Sequence, residues 1–305
     1  MNVISVMVYG ERYEMNNREF QTILDETWKL NDLLSRVSIL DFLPFLIHFP
    51  IKDSKLAKTI YLSAKSRLTR KYQEHQQTYQ DGITRDLTDA LIKALKETKE
   101  DQKKTPEVMT EDHILMTMGD AFTAGIESTT SSILWYIILM IRHPDVQAKV
   151  HSELDRVVGR DKFPSWEERN SLPYTCASIE EMHRFTGFFF TILINAWAMH
   201  FDEKEWNDPQ YFKPERFLDT EGKLIQVSKL KSFLPFGTGR RVCVGEAFAK
   251  QELFLIITRL MYQFEVEAEI PGSPPSMEGQ IKVAYSPKPF KVILKQRPKS
   301  AMDYN

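Results

Sequence analysis

Residues Phe233 to Phe254 read FLPFGTGRRVCVGEAFAKQELF. Cys243, one of two cysteines in the chain, stands there in a loop of glycine and arginine. A segment with helical apolar spacing, Glu246 to Phe264, follows at once. Three roles compete for such a cysteine: a small buried apolar residue, a nucleophile or a metal ligand, and a cysteine taken alone is most often the first. The neighbours shift that balance. Gly237, Gly239 and Gly245 let the backbone turn tightly and lie close to a flat ligand. Amides at a helix start, with Arg240 and Arg241, favour a thiolate. A nucleophilic cysteine wants a histidine partner, and none lies nearby in sequence. A zinc site wants further ligands. Cys176, in PYTCASI, has no matching surroundings and reads as a buried apolar residue.

The 305 residues, 42% hydrophobic and 27% charged, suffice for one large core or two moderate ones. Forty basic against 42 acidic side chains leave a net charge of -2. That balance argues against a whole-protein nucleic-acid footprint. Two cysteines in unlike contexts make no disulfide framework and suit a reducing compartment. No apolar run reads as long enough to span a bilayer, Ser131 to Ile141 being the nearest. The first residues, MNVISVMVYGERYE, lack the basic flank and cleavage site of a signal peptide.

The periodicity is mainly helical. Helices are expected over Phe20 to Arg36, in two pieces from Asp53 to Lys96 around Gly82, from Thr110 to about Arg142, from Pro144 to Gly159 and from Pro173 to about Arg184. The fourth would be about 48 Å long. Glu97 to Glu107, polar and charged, reads as an exposed loop. Thr191 to Ala198 is β-prone, Asp202 to Asp219 irregular, and Ile281 to Lys295 reads as two short strands around Ser286-Pro287. No stretch reads as a domain linker.

A single thiolate bound axially to haem iron needs only one cysteine, amides to tune it and arginine for the propionates. Phe236-x-x-Gly239-x-Arg241-x-Cys243-x-Gly245 resembles the haem-binding loop of the cytochromes P450, and five positions must agree at fixed spacing. The resemblance implies a mainly α fold with small β-sheets, the C-terminal part of a P450 domain with no second domain. It makes Cys243 the iron ligand and Arg241 a propionate contact. Glu181-Met182-His183-Arg184 is similar to the family's E-x-x-R, and Pro214-Glu215-Arg216-Phe217 to the segment whose arginine completes a Glu-Arg-Arg cluster. Glu181 and Arg184 are one helical turn apart, and Arg216 can lock the second segment onto that helix. Ala124-Gly125-Ile126-Glu127-Ser128-Thr129 resembles the oxygen-activating signature. A mid-helix glycine costs about 1 kcal/mol against alanine and needs a reason; room for dioxygen is one. An acid followed by a hydroxyl can relay protons. Ser128 stands where the family usually has threonine, so Glu127, Ser128 and Thr129 are the catalytic candidates.

Within the family, Asp112-His113-Ile114-Leu115, Asn195 to His200, Asp202 to Trp206 and Gln251 to Ile256 resemble the steroid 17α-hydroxylase/17,20-lyase branch. The aryl-hydrocarbon-inducible branch, which oxidises xenobiotics and oestrogens, is the alternative. Thr27 stands where the steroid hydroxylases carry an asparagine. Thr27, Phe122, Ala124, Val283 and Ala284 are the candidate substrate-lining residues, and Phe236, Gly239, Arg241, Cys243, Gly245, Ala124 and Gly125 the candidate haem contacts. The implied cofactor is haem b, with electrons from NADPH through cytochrome P450 reductase and cytochrome b5 as a further partner. Lys229, Lys231 and Arg240 would form the basic face that meets a reductase; solvated surface residues are an equal account of them. The implied substrate is a lipophilic steroid and the implied location the cytoplasmic face of the endoplasmic reticulum membrane. Asn2-Val3-Ile4 followed by Tyr9-Gly10-Glu11-Arg12-Tyr13 resembles the family's E helix, so the anchor, the first helices, much of the main sheet and one haem contact are expected to be absent. Only Phe185 to Phe190 stands where relatives carry a longer insert. A catalytically inactive fragment, poor at binding haem and with apolar surface such as Trp135 and Ile137 uncovered, is the reading from another class.

Overall fold

The computed structural model describes residues 2–34, 52–101, 109–186, 196–281 and 284–298. Its elements are α1 (Asn2–Tyr9), α2 (Arg18–Leu34), α3 (Lys52–Thr78), α4 (Leu87–Asp101), α5 (Glu111–Arg142), α6 (Pro144–Val157), α7 (Pro173–Thr186), α8 (Ala196–His200) and α9 (Glu246–Gln263). Four strands follow: β1 (Phe264–Ala268), β2 (Gly279–Ile281), β3 (Tyr285–Pro287) and β4 (Val292–Gln296). The chain divides into two compact units, Met1–Glu127 and Ser128–Asn305, without a linker, because the division falls inside the continuous helix α5.

In the first unit, α1 stops at Gly10, whose φ of +66° suits a residue without a Cβ. A side chain there would stand 2.8 Å from Asp86 Oδ2. The Thr88 hydroxyl donates to the Val8 carbonyl (2.6 Å), so the start of α4 closes the end of α1. Arg67 meets Glu26 at 3.0 Å and ties α3 to α2.

The second unit is built around apolar residues of four helices. Trp135, Tyr136, Ile138, Leu139 and Met140 of α5 pack with Val150 and Leu154 of α6, Met182 of α7, and Leu253, Ile257 and Met261 of α9. The Gln147 side chain bonds both the amide (2.8 Å) and the carbonyl (3.1 Å) of Val266, fixing β1 against α6. Strand β1 pairs antiparallel with β4, Val266 opposite Leu294, and β2 pairs antiparallel with β3, Ile281 opposite Tyr285.

Several expectations change. Helix α4 continues through Glu97 to Asp101, because its apolar residues Ile92 and Leu95 anchor it in the first unit and the charged end extends from that anchor. Residues 196–198, read as β-prone, are helical in α8; residues 191–195 lie outside the described residues. Ser286-Pro287 lies in strand β3 rather than between strands, and β1 was not expected as a strand. Trp135 is covered: it stacks on Tyr285 (5.5 Å between ring centres) and donates its indole N–H to the Tyr285 carbonyl (3.0 Å). By length and composition α5 could cross a bilayer, contrary to the reading that no run is long enough. Trp135, Tyr136, Ile138, Leu139 and Met140 are nevertheless core residues of the second unit, as in a buried helix, and Ile137 is partly exposed.

Candidate active site

The Cys243 loop turns twice through the left-handed region, at Gly237 (φ +75°) and Gly239 (φ +73°), where a side chain would be strained. The Gly237 amide donates to the Leu234 carbonyl (3.1 Å), and the Cys243 amide returns to the Phe236 carbonyl (2.9 Å). These bonds close the loop and leave the Cys243 thiol exposed. Val242 and Val244 beside it are exposed too, and Gly245 precedes α9. An open thiol between apolar neighbours at a helix start is a surface for a flat, largely apolar, metal-bearing group. Arg241, Arg240, Lys229 and Lys231 are all exposed. Cys176 is buried, and burial pushes its thiol up to about 12.

The three residues of the Glu-Arg-Arg pattern meet. Arg184 donates from Nε to Glu181 Oε2 (2.7 Å) and from Nη2 to Oε1 (2.8 Å), a two-pronged pair fully buried on α7. Arg216 Nε adds a bond to Glu181 Oε1 (3.2 Å), as does the Lys213 amide (2.9 Å). The remaining guanidinium protons go to backbone carbonyls: Arg184 to His200 (2.7 Å) and Pro209 (2.9 Å), Arg216 to Asn207, Asp208 and Tyr211. A buried charge pair is tolerable only when its remaining donors are met in this way. The irregular chain from 201 to 213, ahead of the short 3-10 helix Pro214–Phe217, is held in part by these carbonyl contacts.

In the first unit, Gly125 of α5 has a structural reason that the sequence did not show. A Cβ there would lie 2.6 Å from Ile4 Cδ1, so α1 packs directly on the helix backbone. Glu127 is buried, and Asn31 of α2 donates from Nδ2 to its Oε2 (2.8 Å). Asn31 was not singled out in the sequence; the signal was an asparagine on the face of α2 that carries Phe20, Leu24 and Thr27. Thr27, which donates to the Ile23 carbonyl (2.7 Å), and Phe122, stacked on Tyr9 (5.4 Å), line a small cavity of about 60 Å³ beside the Glu26–Arg67 pair. Ala124 is exposed in this unit.

In the second unit, the Thr129 hydroxyl points to Glu252 of α9 (3.4 Å), whose carboxyl is pushed up by burial. Ser128 gives its carbonyl to the Ser132 hydroxyl (3.0 Å). Ala284 is buried, while Val283 lies outside the described residues.

The family model for cytochrome P450 matches residues 1–189 and 190–294. The steroid 17-alpha-hydroxylase/17,20 lyase of Ictalurus punctatus is 36% identical over 321 residues, covering 97% of this chain and 62% of that protein. Proteins of the same name from Oryzias latipes and Gallus gallus are 36% and 33% identical, again over 97% of this chain and 62% and 63% of theirs. The chain therefore spans about 62% of the length of these relatives. The first alignment is longer than the chain itself, so within it the relative carries residues that this chain does not. The family match divides between 189 and 190, in the segment that follows α7. A solved structure of a zebra fish cytochrome P450 with abiraterone superposes with a TM-score of 0.78 at 29% identity, over 97% of this chain and 69% of its own. With the cysteine loop and the Glu-Arg-Arg cluster in place and the family match running through almost all of its length, the chain belongs to the cytochrome P450 family.

Proposed function

We propose that this chain carries the thiolate machinery of a haem-dependent monooxygenase acting on steroids, which inserts one oxygen atom of O₂ into a substrate C–H bond with electrons from NADPH. The observation that supports it is the Cys243 loop, an exposed thiol in a turn of two left-handed glycines, joined through His200 to a buried Glu-Arg-Arg cluster. These residues fit a haem. Cys243 would ligate the iron, Arg241 would meet a propionate, and Phe236, Gly239 and Gly245 would let the backbone lie close. Bound there, haem supplies the site at which dioxygen is activated, with the thiolate raising electron density on the iron.

The protein's own residues divide the remaining work. Glu127, kept in place by Asn31, would hold a proton beside the Ser128 hydroxyl. Ser128 and Thr129 would be the hydroxyls of the relay, Thr129 lying 3.4 Å from Glu252. Ala124 would face the cofactor, and Thr27, Phe122, Val283 and Ala284 the substrate, while Gly125 is taken up by its contact with Ile4. The cavity at Thr27 and Phe122, about 60 Å³, is far too small for a steroid, so these residues would supply part of a wall for one rather than its pocket. The steroid assignment rests on relatives named steroid 17-alpha-hydroxylase/17,20 lyase. The exposed Lys229, Lys231 and Arg240 suit an acidic electron donor, cytochrome P450 reductase first and cytochrome b5 second, at the cytoplasmic face of the endoplasmic reticulum.

The test is haemin titration of the chain, reduction under carbon monoxide, and turnover of progesterone with reductase and NADPH. A thiolate-type Soret band that Cys243→Ser abolishes is expected. A wild-type chain that gives no such band with haemin in excess, or a Cys243→Ser variant that keeps it, overturns the reading.

A further inference from the structure

His200, the last residue of α8, touches both parts of the site. Its backbone carbonyl accepts Arg184 Nη1 (2.7 Å), on the side of the Glu-Arg-Arg cluster. Its ring faces the other way, where Nε2 accepts the Leu234 amide (3.0 Å) and the imidazole lies tilted on Phe233 (5.6 Å between ring centres). Leu234 is where the cysteine loop begins. From it the bonds run on: the Leu234 carbonyl accepts the Gly237 amide (3.1 Å), and the Phe236 carbonyl accepts the Cys243 amide (2.9 Å). A hydrogen-bonded path therefore leads from the buried Glu181–Arg184 pair through His200 to the cysteine.

The ring chemistry supports that assignment. An imidazole nitrogen that accepts an amide N–H carries no proton, so His200 is neutral with its proton on Nδ1. That Nδ1 is buried with no hydrogen-bond partner among the described residues, so the ring's only bond is the one to Leu234. A buried donor left unmet is unfavourable, and the ring keeps this orientation nonetheless. The charged and titratable neighbours are Arg184 and His183 of α7, both buried. His183 in turn lies edge-on to Phe236 of the same loop (5.4 Å), so the loop is floored by two histidines.

We propose that His200 is a positioning residue for Cys243: by holding the Leu234 amide, its ring fixes the cysteine loop on the Glu181–Arg184–Arg216 cluster. The proposal rests on the reading of the Cys243 loop as the ligand loop, but its test needs no haem. Hydrogen exchange of the Leu234 amide and alkylation of Cys243 would be followed in the intact chain, in His200→Phe and in His200→Gln. Phenylalanine keeps a ring against Phe233 and removes the acceptor; glutamine restores an acceptor near the Nε2 position. In His200→Phe, exchange at Leu234 should rise about tenfold, the worth of one hydrogen bond, and the rate of Cys243 alkylation should change. In His200→Gln both should return toward wild type. Cys176, which is buried, reports whether the unit stays folded, as do the amides of Ile257 and Met261 in the core. Unchanged exchange at Leu234 overturns the proposal, as does a His200→Phe effect that glutamine does not reverse. So does exposure of Cys176 in step with Leu234 in both variants, since His200 would then support the whole unit and not the loop. Haemin titration with Cys243→Ser tests the ligand-loop reading separately, so the two can fail independently.

Discussion

At position 125 a side chain is missing because Ile4 fills its place. Alanine there would recover about 1 kcal/mol of helix propensity but force the buried Ile4 off its packing, which typically costs about 1–3 kcal/mol. Gly125→Ala should therefore lower stability modestly in a denaturant titration. Ile4→Val, which removes Cδ1, should relieve that loss, giving a favourable coupling of about 0.5–1 kcal/mol in the double-mutant cycle. Additive effects would mean that Ile4 and position 125 do not touch. The two cysteines differ in the same local way. Burial pushes Cys176 up to about 12, while Cys243 is exposed. At pH 8 a neutral alkylating reagent should modify Cys243 alone in the folded chain; mass mapping that finds Cys176 labelled first contradicts the packing around α7.

Among the elements, α7 carries the greatest concentration of buried charge. Thr175 to Arg184 are all buried, and Glu181 and Arg184 are sealed completely. Arg184→Ala would leave Glu181 with Arg216 as its only charged partner among the described residues, beside the Lys213 amide, and would take the Arg184 bonds from the carbonyls of His200 and Pro209. Removing one partner of a buried pair costs about 3–5 kcal/mol, so this variant should unfold at far lower denaturant or fail to accumulate. Lysine cannot reproduce the two-pronged contact, and Arg184→Lys should recover only part of the loss. Breaking the exposed Lys149–Glu215 pair (2.7 Å) by Lys149→Ala should cost under about 1 kcal/mol, as surface pairs do. Equal losses from the buried and the exposed pair would refute this account of α7.

For the second unit as a whole, acid should be destabilising through its buried histidines. Burial first, and the positive charge of Arg184 second, push His200 down to about 4 from an ordinary 6.5. Burial and Arg297 do the same to His151. The unfolded chain binds these protons near pH 6.5 and the folded chain only near pH 4. The stability they contribute is therefore complete above about pH 6.5 and is lost as pH falls toward about 4. Linkage puts the His200 share near 2 kcal/mol at pH 5, and the half-exposed His151 adds less. Melting temperature should fall between pH 7 and pH 5, and His200→Gln should flatten part of that slope. A wild-type slope unchanged by His200→Gln would place the acid lability elsewhere.

Much was readable in the chain because it depends on residues near one another in sequence. The loop Phe236 to Gly245 combines fixed glycine positions, arginine and one cysteine ahead of a helix, and its backbone demands are local. Glu181 and Arg184 share a helical turn, and the long helices show their apolar period. What needed the tertiary structure was every choice made by packing across the chain. Gly125 reads as a gap until Ile4, far away in sequence, is seen to fill it. Glu127 and Thr129 read as one relay until Asn31 and Glu252 take them in separate bonds. Trp135 reads as exposed until Tyr285 covers it, and His200 reads as an ordinary polar residue until its nitrogen meets the Leu234 amide. Propensity and spacing act over a few residues, whereas burial and hydrogen-bond satisfaction are settled only when distant segments arrive in contact.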